Sequence, residues 1–505
     1  MGGPFQIVGQ GEHEQGGGSC GGAEINVHNP GVGGAPSQFR GRAAVVTLGC
    51  AKNQVDSEVM VGVLKNSGYE IVTDLQTVDV AVVNTCGFLQ SAIDESLGSI
   101  RELSALKTTA RLRKLIVAGC LVGRFGNDVT ADLPEVDAFI TIDDLLKVGQ
   151  VASGELQETL DLAARPYFLY DDTMPRCVSG GRHMAYVKVS EGCNRPCAFC
   201  IIPKIRGGMR SRTISSVVRE VQQLGAQGIR EINLVAQDLT AYGSDSKGEN
   251  LAALLRSLDA AKAVDWIRLL YAYPLGIDSE LLSTIVELPT ICNYLDFPLQ
   301  HASERVLKEM RRPLGKYSPR RIVEFIKKEQ PSIELRTTFI TGFPGETDED
   351  VQQLEDFIAE GHFLNVGIFT YSQERGTPAA EMEGQVPEDD KVARRDRLML
   401  AQQKALRRRM KEFMNKKFEV LIDGTHPESD GLIVGRTRFQ APEVDGTVII
   451  NKIKAGEEIP APGTLGLVKV SQVADYDLVG TYLGPIDSKR SVESVRGSSQ
   501  QEMET

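Results

Sequence analysis

Three short apolar runs that each end at a cysteine constrain the fold of the first part of the chain more than any other feature. They read AAVVTLGC to Cys50, VDVAVVNTC to Cys86 and KLIVAGC to Cys120, separated by helix-like stretches such as QVDSEVMVGVLKNSG and SAIDESLGSIRELSALK. Strands that alternate with helices predict a parallel sheet. Because the carboxyl ends of parallel strands meet along one edge, we expect the three cysteines to converge there as a ligand set. The alternative interpretation is three small buried residues at strand ends.

The same alternation resumes after a predicted linker at residues 156–182, which contains the stretch ARPYFLYDDTMPRC. Further strand candidates begin near residues 185, 231, 266, 294, 335 and 366, with helical patterns between them. Six consecutive β/α units predict a partial (β/α)6 barrel or a strongly curved parallel sheet over residues 183–410. With the N-terminal parallel domain at 41–155, the fold class is α/β.

The remaining segments follow from their composition. The basic stretch KVARRDRLMLAQQKALRRRMKEFMNKK has a helical pattern and is predicted to be a solvated or packing helix. Residues 411–485 form short runs broken by Gly, Pro and Asp, which is typical of a small antiparallel β-barrel. Residues 1–40, which are rich in glycine, and residues 486–505 lack periodicity and are predicted to be disordered tails.

Composition excludes several classes of protein. The formal net charge of -12 argues against a protein that coats nucleic acid non-specifically. No apolar run is long enough to predict a membrane span, and the first residues lack the pattern of a secretory signal, so we expect a cytoplasmic protein. Nine cysteines in 505 residues are too few and too unevenly spaced for a disulfide scaffold. In a reducing compartment, cysteine clusters indicate metal or redox sites.

A second cysteine group lies in the stretch EGCNRPCAFC, where Cys193, Cys197 and Cys200 have the spacing C-x3-C-x2-C. A structural zinc site requires a fourth ligand, and His183, the nearest candidate, is poorly placed across a predicted strand. A cubane iron–sulfur cluster has four irons, so three thiolates leave one iron free to bind a small molecule. The sequence favours this interpretation, with a zinc protein as the alternative.

This spacing, with the aromatic Phe199 before the third cysteine, resembles that of the radical S-adenosylmethionine enzymes. The resemblance implies a 4Fe-4S cluster whose open iron binds the amino and carboxylate groups of S-adenosylmethionine. It also implies cleavage of that molecule to a 5′-deoxyadenosyl radical. Phe199 is expected beside the open iron, with packing in the core as the alternative.

The order of domains over residues 42–484 resembles that of the methylthiotransferases, a family within this superfamily. The stretches TLGCAKNQVDSE, VVNTCGF and VAGC match the family pattern at Cys50, Cys86 and Cys120. The resemblance implies that these cysteines bind a second 4Fe-4S cluster, which carries the sulfur to be inserted. It further implies two molecules of S-adenosylmethionine, one as methyl donor and one as radical source.

Two branches of that family differ in substrate: an adenosine in transfer RNA, or the β-carbon of an aspartate in small-subunit ribosomal protein uS12. The chain resembles the second branch in SEGCNRPCAFCIIPKIRG, AQDLTAYGSD, YLDFPLQHASERVLKEMRRP, RTTFITGFPGETDED, GIFTYSQERGTPA and APEVDG. It departs at Gln440, where that branch usually has an acidic residue. Residues 418–485 carry ten acidic and five basic residues, a net charge of -5, which suits a basic protein partner better than RNA. A charge that only maintains solubility is the alternative.

The resemblance also implies a reductant and a sulfur donor as partners, without a membrane and without direct nucleic-acid specificity. Candidate contacts of S-adenosylmethionine are Phe199, Gln237, Gly342 and Gly345, each with a structural role as the alternative. Three other functions stay open: a transfer RNA methylthiotransferase, a non-enzymatic iron–sulfur scaffold or RNA-binding module, and a zinc protein.

Overall fold

In the computed structural model, the described residues are 6–8, 39–156, 166–180 and 183–486. They form an N-terminal α/β domain, a central array of six parallel strands, and a C-terminal closed barrel. Among these residues, no helix is long and apolar enough to cross a membrane. The two predicted tails lie mostly outside them.

The N-terminal domain is built on a sheet of order β1-β2-β4-β5-β6, with β3 beside β2. Its strands are β1 (Gln6–Val8), β2 (Gly41–Thr47), β3 (Tyr69–Ile71), β4 (Val80–Thr85), β5 (Lys114–Gly119) and β6 (Ala138–Ile140). Strands β2, β4, β5 and β6 pair in parallel, which confirms the prediction. Strand β1, with the sequence QIV, pairs antiparallel with β2 at the edge of the sheet. The prediction of a disordered tail is therefore wrong for these three residues.

Helices cover both faces of this sheet: α1 (Ala51–Asn66), α2 (Gln90–Thr109), α3 (Cys120–Phe125), α4 (Asn127–Asp132) and α5 (Val148–Ser153). Strand β4 is buried at every position, which explains its continuous apolar run.

The central strands form two three-stranded parallel sheets, β11-β10-β7 and β12-β13-β14. They are β7 (Met184–Lys188), β10 (Glu231–Val235), β11 (Trp266–Leu269), β12 (Tyr294–Asp296), β13 (Glu334–Thr341) and β14 (Asn365–Thr370). A short antiparallel pair of strands, β8 (Ser190–Glu191) and β9 (Arg210–Ser211), follows β7. The N–H of Ile267 donates to the carbonyl of Thr290 over 2.7 Å, and that of Cys292 donates to the carbonyl of Ile267 over 2.9 Å. These bonds join β11 to the segment that leads into β12, and the array confirms the predicted partial (β/α)6 barrel.

The helices of this domain are α6 (Ile202–Ile205), α7 (Ile214–Ala226), α8 (Leu251–Ala261), α9 (Ser279–Glu287), α10 (Glu304–Glu309), α11 (Pro319–Glu329), α12 (Asp348–Ala359) and α13 (Glu388–Met410). Helix α13 contains most of the basic stretch and packs on α12 and β14. Its Leu406 and Met410 join the apolar core of the C-terminal barrel. The packing interpretation of that stretch is therefore correct.

The barrel closes in the order β15-β16-β17-β19-β18. Its strands are β15 (Lys417–His426), β16 (Ser429–Arg436), β17 (Val448–Ile453), β18 (Leu465–Ala474) and β19 (Asp477–Pro485). Four pairings are antiparallel, as predicted, but β17 and β19 pair in parallel. A closed ring with an odd number of strands cannot alternate direction all the way round, so one parallel pair is unavoidable.

The barrel packs at the amino-terminal ends of the central strands. His183, just before β7, pairs with Asp423 over 2.8 Å, and the hydroxyl of Tyr294, at the start of β12, donates to Asp445 over 2.7 Å. This arrangement leaves the carboxyl-terminal ends of the strands free for the cysteine loops.

The predicted linker fastens the N-terminal domain to the central one. Arg176 is buried, and its guanidinium bonds Glu58 of α1 at 2.8 Å, Glu220 of α7 at 2.5 Å and the carbonyl of Tyr186 at 2.7 Å. One cation thus holds two buried carboxylates from different domains.

We expect Arg176→Met to lower the free energy of unfolding by about 3–5 kcal/mol, because it leaves the Glu58 carboxylate buried without a cation. Urea denaturation followed by circular dichroism measures this loss. The matched control is Arg256→Met, because Arg256 pairs with Glu280 at 2.9 Å where both side chains are half exposed. Its expected loss is below about 1 kcal/mol. Equal losses in the two variants would contradict the role given to Arg176.

Candidate active site

The structure brings Cys50, Cys86 and Cys120 together at the carboxyl edge of the N-terminal sheet. Cys50 directly precedes α1, Cys86 directly follows β4, and Cys120 begins α3 directly after β5. Gly49 has a φ of +95°, and a Cβ placed on it would lie 2.9 Å from the Cβ of Cys86 and 3.3 Å from its sulfur. Only glycine permits this approach, so the loops meet as the sequence predicts. The role of the thiols as ligands stays a prediction.

Asn53 fixes these loops relative to one another. Its side-chain amide donates to the carbonyls of Leu48 at 2.9 Å and Thr85 at 3.0 Å, and its oxygen lies 3.7 Å from the sulfur of Cys120. One buried side chain on α1 thus contacts the ends of two strands and one of the thiols.

The protein shifts the pKa values of the three thiols in different directions. Burial raises the pKa of Cys86 to about 12, and the neighbouring sulfurs of Cys120 and Cys50 contribute to the rise. Burial also raises the pKa of Cys120. Removal from water alone would raise the pKa of Cys50. The positive charges of Lys52 and Arg206 outweigh this effect, so the pKa of Cys50 is lowered. The raised pKa values favour the neutral thiols of Cys86 and Cys120, so these two would release their protons on binding a metal centre.

The second cysteine group lies between β8 and β9, beyond the carboxyl end of β7. The N–H of Cys193 donates to the carbonyl of Gly207 at 3.1 Å, and that of Cys200 donates to the carbonyl of Cys197 at 3.2 Å. Burial raises the pKa of Cys200 to about 12, with the sulfurs of Cys197 and Cys193 adding to the effect. All three thiols are partly exposed, which suits a site that a small molecule must reach.

Two arginines and a tyrosine surround Cys197, and sequence reasoning missed all three. The guanidinium of Arg312 lies 3.7 Å from the Cys197 sulfur, and the Tyr273 hydroxyl lies 3.9 Å from it. The Tyr273 ring also contacts the guanidinium groups of Arg312, at 4.1 Å, and Arg195, at 4.4 Å. Arg195 lies inside the cysteine motif and Arg312 lies inside the stretch YLDFPLQHASERVLKEMRRP, so both positions offered a signal.

The two cysteine groups face each other across the junction between the domains. Arg206, in the loop after Cys200, donates to the Cys120 sulfur at 3.3 Å. Lys52 follows Cys50 by two residues, and its ammonium lies 3.7 Å from the centre of the Tyr271 ring. Tyr273, on the same loop as Tyr271, contacts Cys197. Two separate contacts therefore tie the loops near one cysteine group to the loops near the other.

A buried ionic network holds this junction. Asp56 of α1 accepts from Arg206 at 3.0 Å and also from Lys188. Glu191 accepts from Lys188 at 2.9 Å, from Arg206 at 3.0 Å and from Gln237 at 2.7 Å. Two cations and two carboxylates, all buried, thus lock α1 onto the central domain.

The zinc alternative finds no support from the expected fourth ligand. His183 pairs with the barrel residue Asp423 at the opposite end of β7 from the cysteine loop. Across the described ranges, no three or more His, Cys, Asp or Glu side chains are placed to hold a single metal ion, and this applies to both sets of three cysteines as well as to a zinc site.

The polar residues Gln237, Gln300 and His301 near the strand ends differ in their hydrogen bonding. The side-chain oxygens of Gln237 and Gln300 are buried and lack a hydrogen-bond partner among the described residues, and Gln300 has a φ of +76°. His301, in contrast, is engaged with Glu346 at 3.1 Å and with the N–H of Ser303 at 2.9 Å. The two glutamine oxygens are thus available to a ligand, whereas His301 has a structural role.

The other predicted contacts of S-adenosylmethionine have structural partners. Phe199 packs against an apolar cluster that includes Phe343 and Tyr371, which favours the packing alternative for this residue. A Cβ on Gly342 would lie 2.3 Å from the side chain of Lys391, and the N–H of Gly345 donates to the carbonyl of Gly384 at 2.8 Å. Their contact with S-adenosylmethionine stays a prediction.

Comparison with known proteins agrees with this architecture. Residues 42–141 match the uncharacterized protein family UPF0004, residues 187–358 the radical SAM superfamily, and residues 416–483 the TRAM domain. The ribosomal protein uS12 methylthiotransferase RimO of Anaeromyxobacter sp. strain Fw109-5 is 44% identical over 87% of this chain and 92% of its own. The protein of the same name from Symbiobacterium thermophilum is 42% identical over 89% and 93%. Among solved structures, the radical S-adenosylmethionine methyltransferase TsrM from Kitasatospora setae has a TM-score of 0.49 and 16% identity over 66% of this chain and 74% of its own.

The fold, the cysteine loops, the matched domain families and the RimO relatives define a radical S-adenosylmethionine enzyme with a C-terminal TRAM domain. This class works with a 4Fe-4S cluster and S-adenosylmethionine. At 40–44% identity over most of its length, the chain belongs to the RimO family of methylthiotransferases.

We expect a short bifunctional thiol reagent to cross-link pairs among Cys50, Cys86 and Cys120 in the metal-free protein, because their loops meet at one edge. Mass spectrometry of tryptic peptides identifies the links. Cys292, which is buried and lies on a different segment, is the internal control and should form no link to these cysteines. Links between Cys292 and any of the three, at the yield of the expected pairs, would contradict the geometry.

Proposed function

We propose that this protein methylthiolates the β-carbon of an aspartate in ribosomal protein uS12, the protein named in the description of its relatives. The observation that supports it most is a pair of contacts across the junction between the domains. Arg206 donates to the sulfur of Cys120. Lys52 contacts the ring of Tyr271, and Tyr273 on the same loop contacts Cys197. We infer from these contacts that the target carbon lies between the two groups.

We assign a 4Fe-4S cluster with bound S-adenosylmethionine to Cys193, Cys197 and Cys200, and a second 4Fe-4S cluster to Cys50, Cys86 and Cys120. When bound, these groups and a second S-adenosylmethionine supply a methylated sulfur and a radical able to remove hydrogen from an unactivated carbon, which ordinary side-chain bases cannot do. The protein holds these groups and the substrate in a fixed relative position.

The surrounding side chains have distinct tasks. Asn53 holds two of the strand ends that carry the first group, and Arg206 keeps that group at a fixed distance from the second. Arg312 and Tyr273 support Cys197, while the free oxygens of Gln237 and Gln300 offer acceptors to a bound ligand at the strand ends. The junction thus orients cofactor and substrate without a proton transfer by the protein.

The barrel suits a basic partner. Its residues 418–485 carry a net charge of -5, and Glu428, Glu443 and Glu458 are exposed. Complementary charge steers the encounter with a basic ribosomal protein, whereas RNA would be repelled. The proposed partners are uS12, free or in the small subunit, a reductant and a sulfur donor, all in the cytoplasm.

Anaerobic reconstitution should give about eight irons per chain, because each cubane holds four. The triple variants Cys50→Ala/Cys86→Ala/Cys120→Ala and Cys193→Ala/Cys197→Ala/Cys200→Ala should each keep about four, and Cys292→Ala should keep all. Iron and acid-labile sulfide analysis measures this. Zinc without sulfide, or a wild-type protein with only four irons, would contradict the assignment.

Incubation of the reconstituted, reduced enzyme with uS12 and S-adenosylmethionine should add the mass of one methylthio group, in place of hydrogen, to a single aspartate-containing peptide. Nucleosides from transfer RNA treated in the same way should be unchanged. Mass spectrometry reads both. A thiomethylated nucleoside together with unmodified uS12 would favour the transfer RNA alternative instead, and absence of 5′-deoxyadenosine would favour a scaffold.

A further inference from the structure

Lys52 is a buried cation to which no carboxylate is bonded among the described residues. It is the second residue of α1 and is 9% exposed. Within the described part of the chain, its ammonium makes no hydrogen bond and no ion pair with a carboxylate. The face of the Tyr271 ring lies 3.7 Å from it, and its charge lowers the pKa of the Cys50 thiol. A cation–π contact offsets only part of the cost of removing an ammonium from water, so an anion is expected to complete the site.

The carboxylates of this region are already engaged by other groups. Asp56 and Glu191 are both paired with Lys188 and Arg206. Asp296 pairs with Arg336 at 2.9 Å and accepts the N–H of Tyr271 at 3.1 Å. None of these carboxylates is bonded to Lys52, so its ammonium can bind the carboxylate of a molecule that comes from outside.

The position of this charge is set by a strained residue. Tyr271, just beyond the carboxyl end of β11, has a φ of +63°, which is uncommon for a residue with a side chain, and its bond to Asp296 holds it there. This conformation presents the ring to Lys52 while Tyr273, next but one, contacts Cys197. The ammonium thus lies between the two cysteine groups, near Cys50.

We propose that the Lys52 ammonium binds the side-chain carboxylate of the target aspartate. This rests on the proposed function. The β-carbon is bonded directly to that carboxylate, which takes no part in the reaction, so a fixed cation on the carboxylate orients the reacting carbon between the two cysteine groups. A charge-assisted hydrogen bond of this kind also selects an acidic side chain over an amide or a nucleoside.

The test compares binding of two forms of uS12, the natural protein and one with the modified aspartate replaced by asparagine. Calorimetry with full-length reconstituted enzyme measures both dissociation constants. Wild type should prefer the aspartate form by about ten- to a hundredfold, the range for a hydrogen bond to a charged group. Lys52→Met should abolish this preference, and Lys52→Arg should restore part of it. Lys328→Met, on the exposed face of α11, should behave as wild type.

Iron content and 5′-deoxyadenosine formed without substrate are measured in parallel. If Lys52→Met keeps the preference for aspartate, the proposal is wrong. If it loses the iron of one cluster while Lys52→Arg keeps it, Lys52 serves as a counter-charge for the cluster, and the proposal is again wrong. If wild type leaves uS12 unmodified, the proposed function itself fails, an outcome that the Lys52 variants do not affect.

Discussion

The buried pairing of Lys188 and Arg206 with Asp56 and Glu191 is the interaction on which the rest of the site depends. Charges removed from water are tolerated only when each has a partner in good geometry, so this group of four permits one relative position of α1 and the central domain. Arg206 also donates to the Cys120 sulfur, so the network that locks the domains also contacts the first cysteine group.

The architecture places chemistry at one end of two sheets and support at the other. Parallel strands gather their carboxyl ends along one edge, and each domain uses that edge for its cysteines. The C-terminal barrel occupies the amino ends, where Asp423 and Asp445 pair with His183 and Tyr294. The linker residue Arg176 ties α1 to α7 through two buried carboxylates. The junction is thus held from several sides, which suits a reaction that needs fixed geometry more than acid–base groups.

Sequence reasoning predicted the features that follow from local pattern. The strand positions and the convergence of Cys50, Cys86 and Cys120 follow from apolar runs and from the rule for strand ends. Contacts between residues far apart in the chain leave no periodic signal, so the Arg206–Cys120 bond and the Lys52–Tyr271 contact could not be predicted, although both cations lie inside the quoted motifs. Helix α1 shows why: it buries Asn53, Asp56 and Glu58 against a second domain, so its polar residues do not mark a solvent face. The parallel β17–β19 pair follows from ring closure, which no single strand pattern reveals.

The most direct test of the assignment of one cluster to each set of three cysteines is a crystal structure of the anaerobically reconstituted protein. Anomalous diffraction recorded at the iron edge locates the irons. We predict two separate iron sites, one held by each set of three cysteines, both directed towards the space beside Lys52 and Tyr271. A single iron site, or a fourth protein ligand on either cluster, would contradict the account.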